Sequence, residues 1–238
     1  MVRLAIGWGW DQRAQEVMWS LAGSPSCPRW MLDALWQIAI GKSDTAQLQK
    51  LAGVLAQCDS KSITLRNNHA FYSLLVRSED GDPHREAERL LKENAGDASI
   101  VVTRSLSLYQ QGKTAEALAL TGSLPDEELK KPQAALYHAI FLTAAGESAK
   151  AAGFLSVAQS RKMFPEEKTM LERARLNAAK ADEEREVAQT SKAVRAAKAA
   201  RDLEKEKAVE AARVARAAEA AKDLEVAKAA QSATVVEK

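Results

Sequence analysis

Apolar residues recur at three- and four-residue intervals along the first two-thirds of the chain, the spacing that lines one face of an α-helix. Short clusters of Gly, Pro, Ser and Asp separate these stretches. The pattern predicts helices near 11–22, 28–40, 44–58, 63–78, 83–94, 98–111, 114–122, 133–145 and 148–162. The breakers between them are Gly23-Ser24-Pro25, Gly41-Lys42-Ser43-Asp44, Asp59-Ser60, Asp80-Gly81-Asp82-Pro83, Gly96-Asp97, Gly112, Pro125 and Pro132. Gly and Pro end helices through backbone geometry, and Ser, Thr and Asp cap the helices that follow. Pro83 and Pro132 suit a first helical turn, where a missing N–H costs nothing. The one β-branched run, Ser99-Ile100-Val101-Val102-Thr103, lacks the sustained alternation of a strand. The expected class is all-α.

An internal period sharpens this picture. Gly112 is followed five residues later by Ala117 and Gly146 by Ala151, and the two pairs stand 34 residues apart. The same spacing joins Gly9 to Ala14 and Gly41 to Ala46, and one residue more joins Gly81 to Ala87. Successive glycines of this set are 32, 40, 31 and 34 residues apart. Glycine lets the chain turn sharply between two antiparallel helices. A small residue one turn into the second helix then lets the two approach closely.

Two segments carry a resemblance to a known family: Leu108-Tyr109-Gln110-Gln111-Gly112-Lys113-Thr114-Ala115-Glu116-Ala117-Leu118 and Leu142-Thr143-Ala144-Ala145-Gly146-Glu147-Ser148-Ala149-Lys150-Ala151-Ala152. They resemble the tetratricopeptide repeat, a 34-residue helix-turn-helix unit. Ala34, Ser105 and Ala139 stand where that family packs its first helix, and Pro132 and Pro165 match its loop proline. The resemblance is strong for the last two repeats and weak for the first three, and it implies an α-solenoid. An irregular helical bundle is the competing architecture. The first repeat is incomplete, because only about half of a first helix fits before Gly9. Trp8, Trp10 and Trp19, with Trp30 and Trp36 behind them, either fill the first hairpins or mark the exposed end of a longer array.

In such arrays the first helices of successive repeats line a concave face that takes peptides or partner helices. The family's inner positions, carried over by spacing, fall at Met31, Leu35 and Ile38, at Phe71 and Leu75, at Val102, Leu106 and Tyr109, and at Leu136, Ile140 and Thr143. The lining is apolar and suits an amphipathic helix. The alternative is that several of these side chains pack within the repeats. The basic clamp with which chaperone-binding relatives hold a terminal carboxylate is not matched.

From Pro165 onward the material changes. All 11 glycines, all 6 prolines and every Trp, Tyr and Phe lie at or before Pro165. Pro165-Glu166-Glu167 opens a helix well, with acids at the positive end of its dipole. Met170, Leu171, Ala174 and Leu176 are expected to cap the last repeat. Beyond Leu176 nothing stops the helix until about Ser232, and Ala, Lys, Arg and Glu dominate. A helix of about 65 residues reaches roughly 100 Å. Charges fall on every third residue from Glu204 to Lys228, so the charged stripe winds around the axis and no apolar seam persists. Glu204/Lys207 and Arg216/Glu219 place opposite charges three apart, worth about 0.2–0.5 kcal/mol a pair. Residues 196–204 recur in form at 217–225, an offset of three heptads that keeps an alanine-rich coiled coil as an alternative. In composition alone the segment resembles the spacer helices of bacterial envelope-spanning proteins.

Lys+Arg 34 against Asp+Glu 32 leaves a net charge of +2, too balanced for a dedicated nucleic-acid binder or an electrostatic membrane anchor. No apolar run approaches the roughly 18 residues of a membrane span. Cys27 and Cys58 have no metal spacing. The sequence holds no glycine-rich phosphate loop, nucleophile elbow or zinc-hydrolase motif. His69, His84 and His138 fall in different helices and read as packing or surface residues. Asp80, Asp82 and His84-Arg85-Glu86 read as a capped helix start, and Arg66-Asn67-Asn68 either caps a helix or faces a peptide. The expected organisation is a repeat domain over 1–165, a capping helix over 166–177 and an extended charged helix over 178–238 with disordered last residues. The expected role is a non-enzymatic scaffold without cofactors that binds a protein partner, not nucleic acid, and uses the helix as spacer or tether. Self-association through residues 178–231, or a fragment of a larger repeat protein, are the alternatives. Free cysteines and the absence of an export signal favour the cytoplasm, although a truncated start would hide a signal or anchor.

Overall fold

A computed structural model describes residues 11–22, 28–78 and 80–236. Among them the secondary structure is helical throughout, with no strand. The elements in chain order are α1 (Asp11–Ala22), α2 (Arg29–Lys42), α3 (Thr45–Cys58), α4 (Ile63–Val76), α5 (Pro83–Glu93), α6 (Ala98–Gln110), α7 (Thr114–Gly122), α8 (Asp126–Leu129), α9 (Pro132–Ala144), α10 (Ser148–Ala158) and α11 (Pro165–Val236). Trp8, Gly9, Trp10, the Gly23-Ser24-Pro25 breaker, Cys27 and the last residues, 237–238, lie outside the described residues. None of the described helices is long and apolar enough to cross a membrane.

Local chemistry sets the helix starts. Asp44, Ser62, Asp82 and Asp97 each accept a hydrogen bond from a backbone N–H of the following first turn, satisfying donors that no helical carbonyl can reach. Pro83, Pro132 and Pro165 occupy first-turn positions. The β-branched run 99–103 is helical, inside α6. Asp126–Leu129 adds a four-residue helix where the sequence showed only two flanking prolines.

The helix ends show a regularity finer than the glycine pattern. Ser43, Arg77, Gly112 and Gly146 all adopt left-handed backbone, with φ of 55°, 57°, 79° and 81°. At each, the residue's own N–H donates to the carbonyl three back and the next residue's N–H to the carbonyl five back from itself: Asp44 to Ala39 (2.9 Å), Ser78 to Ser73 (2.8 Å), Lys113 to Leu108 (3.0 Å) and Glu147 to Leu142 (2.9 Å). This is the Schellman closure of a helix end. The four positions stand 34, 35 and 34 residues apart. Two are not glycine, although an L-residue in this region costs about 1–2 kcal/mol. The expected turn at Gly41 is therefore corrected. Gly41 lies within α2, and Ser43 makes the turn. Ala46 is exposed, and the buried contact five residues after the turn is Leu48. Ala87, Ala117 and Ala151 are buried as expected.

Helices pack chiefly on their neighbours in the chain: α2 on α3, α3 on α4, α4 on α5, α5 on α6, α6 on α7, and α9 on α10. In addition α4 touches α6, α6 touches α9, and α7 touches α9. One apolar cluster runs from Met18 of α1 to Ala174 of α11. Aromatic rings link its parts edge to face, Trp36 to Tyr72 (5.5 Å between centroids) and Phe71 to Tyr137 (5.8 Å), each inclined by about 80°. Trp19 and Trp36 pack against this core.

The chain divides into two compact units, Met1–Ala181 and Asp182–Lys238. In the second, every described side chain from 182 to 226 is exposed. Asp182–Arg185 (3.2 Å) and Glu210–Arg213 (3.7 Å) form the ion pairs there among the described residues, rather than Glu204/Lys207 and Arg216/Glu219.

Candidate partner-binding face

The inner positions expected from the repeat spacing come together. Met31 and Leu35 of α2, Phe71 and Leu75 of α4, Val102 and Leu106 of α6, and Leu136 and Ile140 of α9 share one buried cluster, with Ile38 and Tyr109 half-buried against it. Thr143 is buried and donates to the Ala139 carbonyl. None of the eight cluster members is more than 5% exposed, so they do not form an open lining.

Part of what closes that surface comes from the chain itself. Phe164, Met170, Leu171 and Ala174 belong to the same cluster. On a helix of 3.6 residues per turn, Glu167, Met170, Leu171, Ala174 and Ala178 fall within about 100° of one another, whereas Leu176 points away. Accordingly the first five are buried and Leu176 is 71% exposed. The expectation that Leu176 shares the apolar face is corrected. The segment's polar and aromatic partners lie on α2, α3, α4 and α9.

Polar groups fix its register. Glu167 is fully buried and its carboxylate accepts three hydrogen bonds: from Tyr137 Oη (3.0 Å) and Arg161 Nη2 on Oε1, and from the Phe164 N–H (2.9 Å) on Oε2. The last of these caps the start of α11 from the third helical position, as in a capping box. Thr45 Oγ1 donates to Glu166, and Lys162 Nζ donates to the Gly41 carbonyl (3.2 Å). Phe164 meets Tyr72 edge on at 6.0 Å, and the Arg161 guanidinium stands 5.9 Å from the Phe164 ring centroid.

Burial pushes the Tyr137 phenol well above its ordinary pKa, and the nearby Glu167 carboxylate raises it further against the opposing effect of Arg161. The same three influences push Tyr72 up to about 12. Both phenols therefore stay protonated, and Tyr137 acts as a donor to Glu167. With its hydrogen bonds made inside the protein, this carboxylate anchors the segment.

Beside it lies a cleft of about 420 Å³ lined by Ala46, Leu75, Arg77, Gln110, Met170 and Arg173, among others. Arg77 and Arg173 are exposed, and both act on the Tyr109 phenol, opposing the rise that burial imposes on it. One wall of the cleft is apolar, and its polar lining sets Arg77 and Arg173 beside Glu166, Gln110 and Thr169.

The polar motifs expected elsewhere are structural. Arg66 bridges α4 to α5 through Glu86 (2.6 Å) and Glu93 (2.9 Å), and Asn67 is buried and donates to Ser99, so neither caps the helix. Asp82 caps α5 at Arg85 N–H. His138 is buried between Thr121 and the Phe154 ring, and burial lowers its pKa, as it does that of His69. Sequence reasoning missed Glu167 as an anchor. Its one signal was the acid three residues after an aromatic at a helix start.

No protein-family model matches the chain, and no curated protein or solved structure does either.

Proposed function

We propose that this chain is a non-enzymatic protein–protein interaction scaffold, a tetratricopeptide-like stack of helix pairs whose inner face takes a partner helix, with the helix beyond Ala181 as spacer or tether. The observation that supports it most is the fourfold closing turn at Ser43, Arg77, Gly112 and Gly146, recurring every 34 or 35 residues. Equal turns at equal spacing are what stacked helix pairs of one design require. The cleft beside Met170 supplies what a partner helix needs, an apolar wall with a polar rim.

Affinity capture with the full chain, followed by reversal of the rim charge outside residues 161–178, tests this. Arg77→Glu should abolish recovery of a partner while leaving the helical circular dichroism unchanged. Undiminished recovery by the folded variant contradicts binding at this face.

The exposed aliphatic residues of 182–226 favour a second reading, assembly through the tail. Val187 and Val194 share one side of the helix, but Leu203 and Val214 fall on the other, so no continuous seam forms. Sedimentation of the full chain over a range of concentrations separates the two: a monomer throughout removes the assembly reading.

A further inference from the structure

Resting on the scaffold reading, we propose that residues 161–178 are a displaceable internal ligand of the inner face, and that the partner is a helix built like them. Such a helix carries an aromatic residue just before its first turn, a Glu at its third position, and an apolar pair one turn later.

Three observations carry this. First, the segment is seated mainly by side chains, because α11 makes no extensive backbone approach to any other helix. Its contacts include the Phe164 ring on Tyr72, the buried faces of Met170, Leu171 and Ala174, and the polar points at Gly41, Thr45 and Tyr137. An incoming helix of the same pattern can make the contacts at Tyr72, at Tyr137 and with the apolar cluster. Second, the anchor at the centre of the seat is a carboxylate rather than another apolar residue. A buried charge adds little net stability over a well-packed hydrophobe but does fix which segment fits and in what register. Third, the seat fits imperfectly. Arg161 Nε and Glu166 Oε2 are buried without a protein hydrogen-bond partner, and a cleft stays open along Met170. An orphaned buried polar atom raises the free energy of the closed arrangement and lowers the cost of exchanging it.

The consequence is competition. A partner binds only in the fraction of molecules whose own segment has left, so its apparent affinity is reduced by that fraction. Partner helices that lack the acid leave the Tyr137 hydroxyl buried and unpaired, and are rejected on that ground.

The test uses the full chain and a fluorescein-labelled synthetic peptide of residues 161–180, read by anisotropy. In the chain carrying Phe164→Ala and Met170→Glu the internal segment is loosened while the face is intact. That variant should bind the peptide at least about tenfold tighter than the unaltered chain. Full-chain Glu167→Gln, a milder change, should fall between them. A peptide with Ala at the position of Glu167 should not bind. Equal binding by all three chains, or loss of the helical signal of residues 11–158 in both variants, overturns the proposal, because the segment is then a fixed part of the domain. If the loosened chain binds the peptide yet captures no protein partner, the scaffold reading fails, and with it the helical partner, while the displaceable segment stands. If partners are captured and the peptide is not, the reverse holds.

Discussion

Helices α4 and α9 and the helix beyond Ala181 are made of the same backbone but held by different forces. Ten of the thirteen residues of α9 are buried, so its stability is tertiary. From 182 to 226 every described side chain is exposed, and that helix rests on the propensities of Ala, Lys, Arg and Glu alone. Helix content therefore says little about cooperativity here: one unit melts as a core, the other frays as a local structure.

The largest effects are expected in the core. Leu106→Ala or Ile140→Ala, both at fully buried positions, should cost about 2–5 kcal/mol of stability. Val209→Ala, on a side chain 70% exposed, should change it by less than about 0.5 kcal/mol. Urea denaturation of the full chain followed by tryptophan fluorescence checks both. Every tryptophan lies in the first unit.

Next in size is the buried anchor. Glu167→Ala leaves Tyr137 and Arg161 facing each other without their acceptor, and should cost about 3 kcal/mol by the same titration.

Smaller effects separate the four equivalent turns. Gly112→Ala meets no atom within 4 Å, so its expected cost of about 1 kcal/mol is purely that of the left-handed backbone. Ser43→Gly removes such a strain and should stabilise by up to about 1 kcal/mol. Opposite signs at two positions of one motif would establish their equivalence.

The pH dependence is smaller still. Burial depresses the folded pKa of His138 and of His69 below the ordinary 6.5. The unfolded chain then binds protons first, so stability is complete above that value and falls as pH drops through it. The melting temperature should decline between about pH 7.5 and about pH 5.5, and His138→Gln should flatten the decline.

Much of this architecture was legible in the residues. Apolar spacing with Pro, Ser and Asp punctuation placed nearly every helix end within two residues, because those signals are local. The four-residue α8 is too short to show a period. Arg77 was invisible as a turn position, and Ser43 was passed over within the Gly41-Lys42-Ser43-Asp44 breaker, because glycine advertises left-handed backbone most strongly. Gly41, two residues from the true turn, drew the register off. The apolar face itself was found, but not its occupant. Glu167 meets Tyr137 across 30 residues of chain, and no pattern within a helix indicates which distant face will bury its acid.

Amide hydrogen exchange over the full chain tests the central contrast most directly. Amides of α4, α6 and α9 should be protected far beyond what an isolated helix achieves, while those from 182 to 226 exchange within about tenfold of a solitary peptide helix. Uniform protection across both units would contradict the account, since the exposed helix would then be held by burial as well.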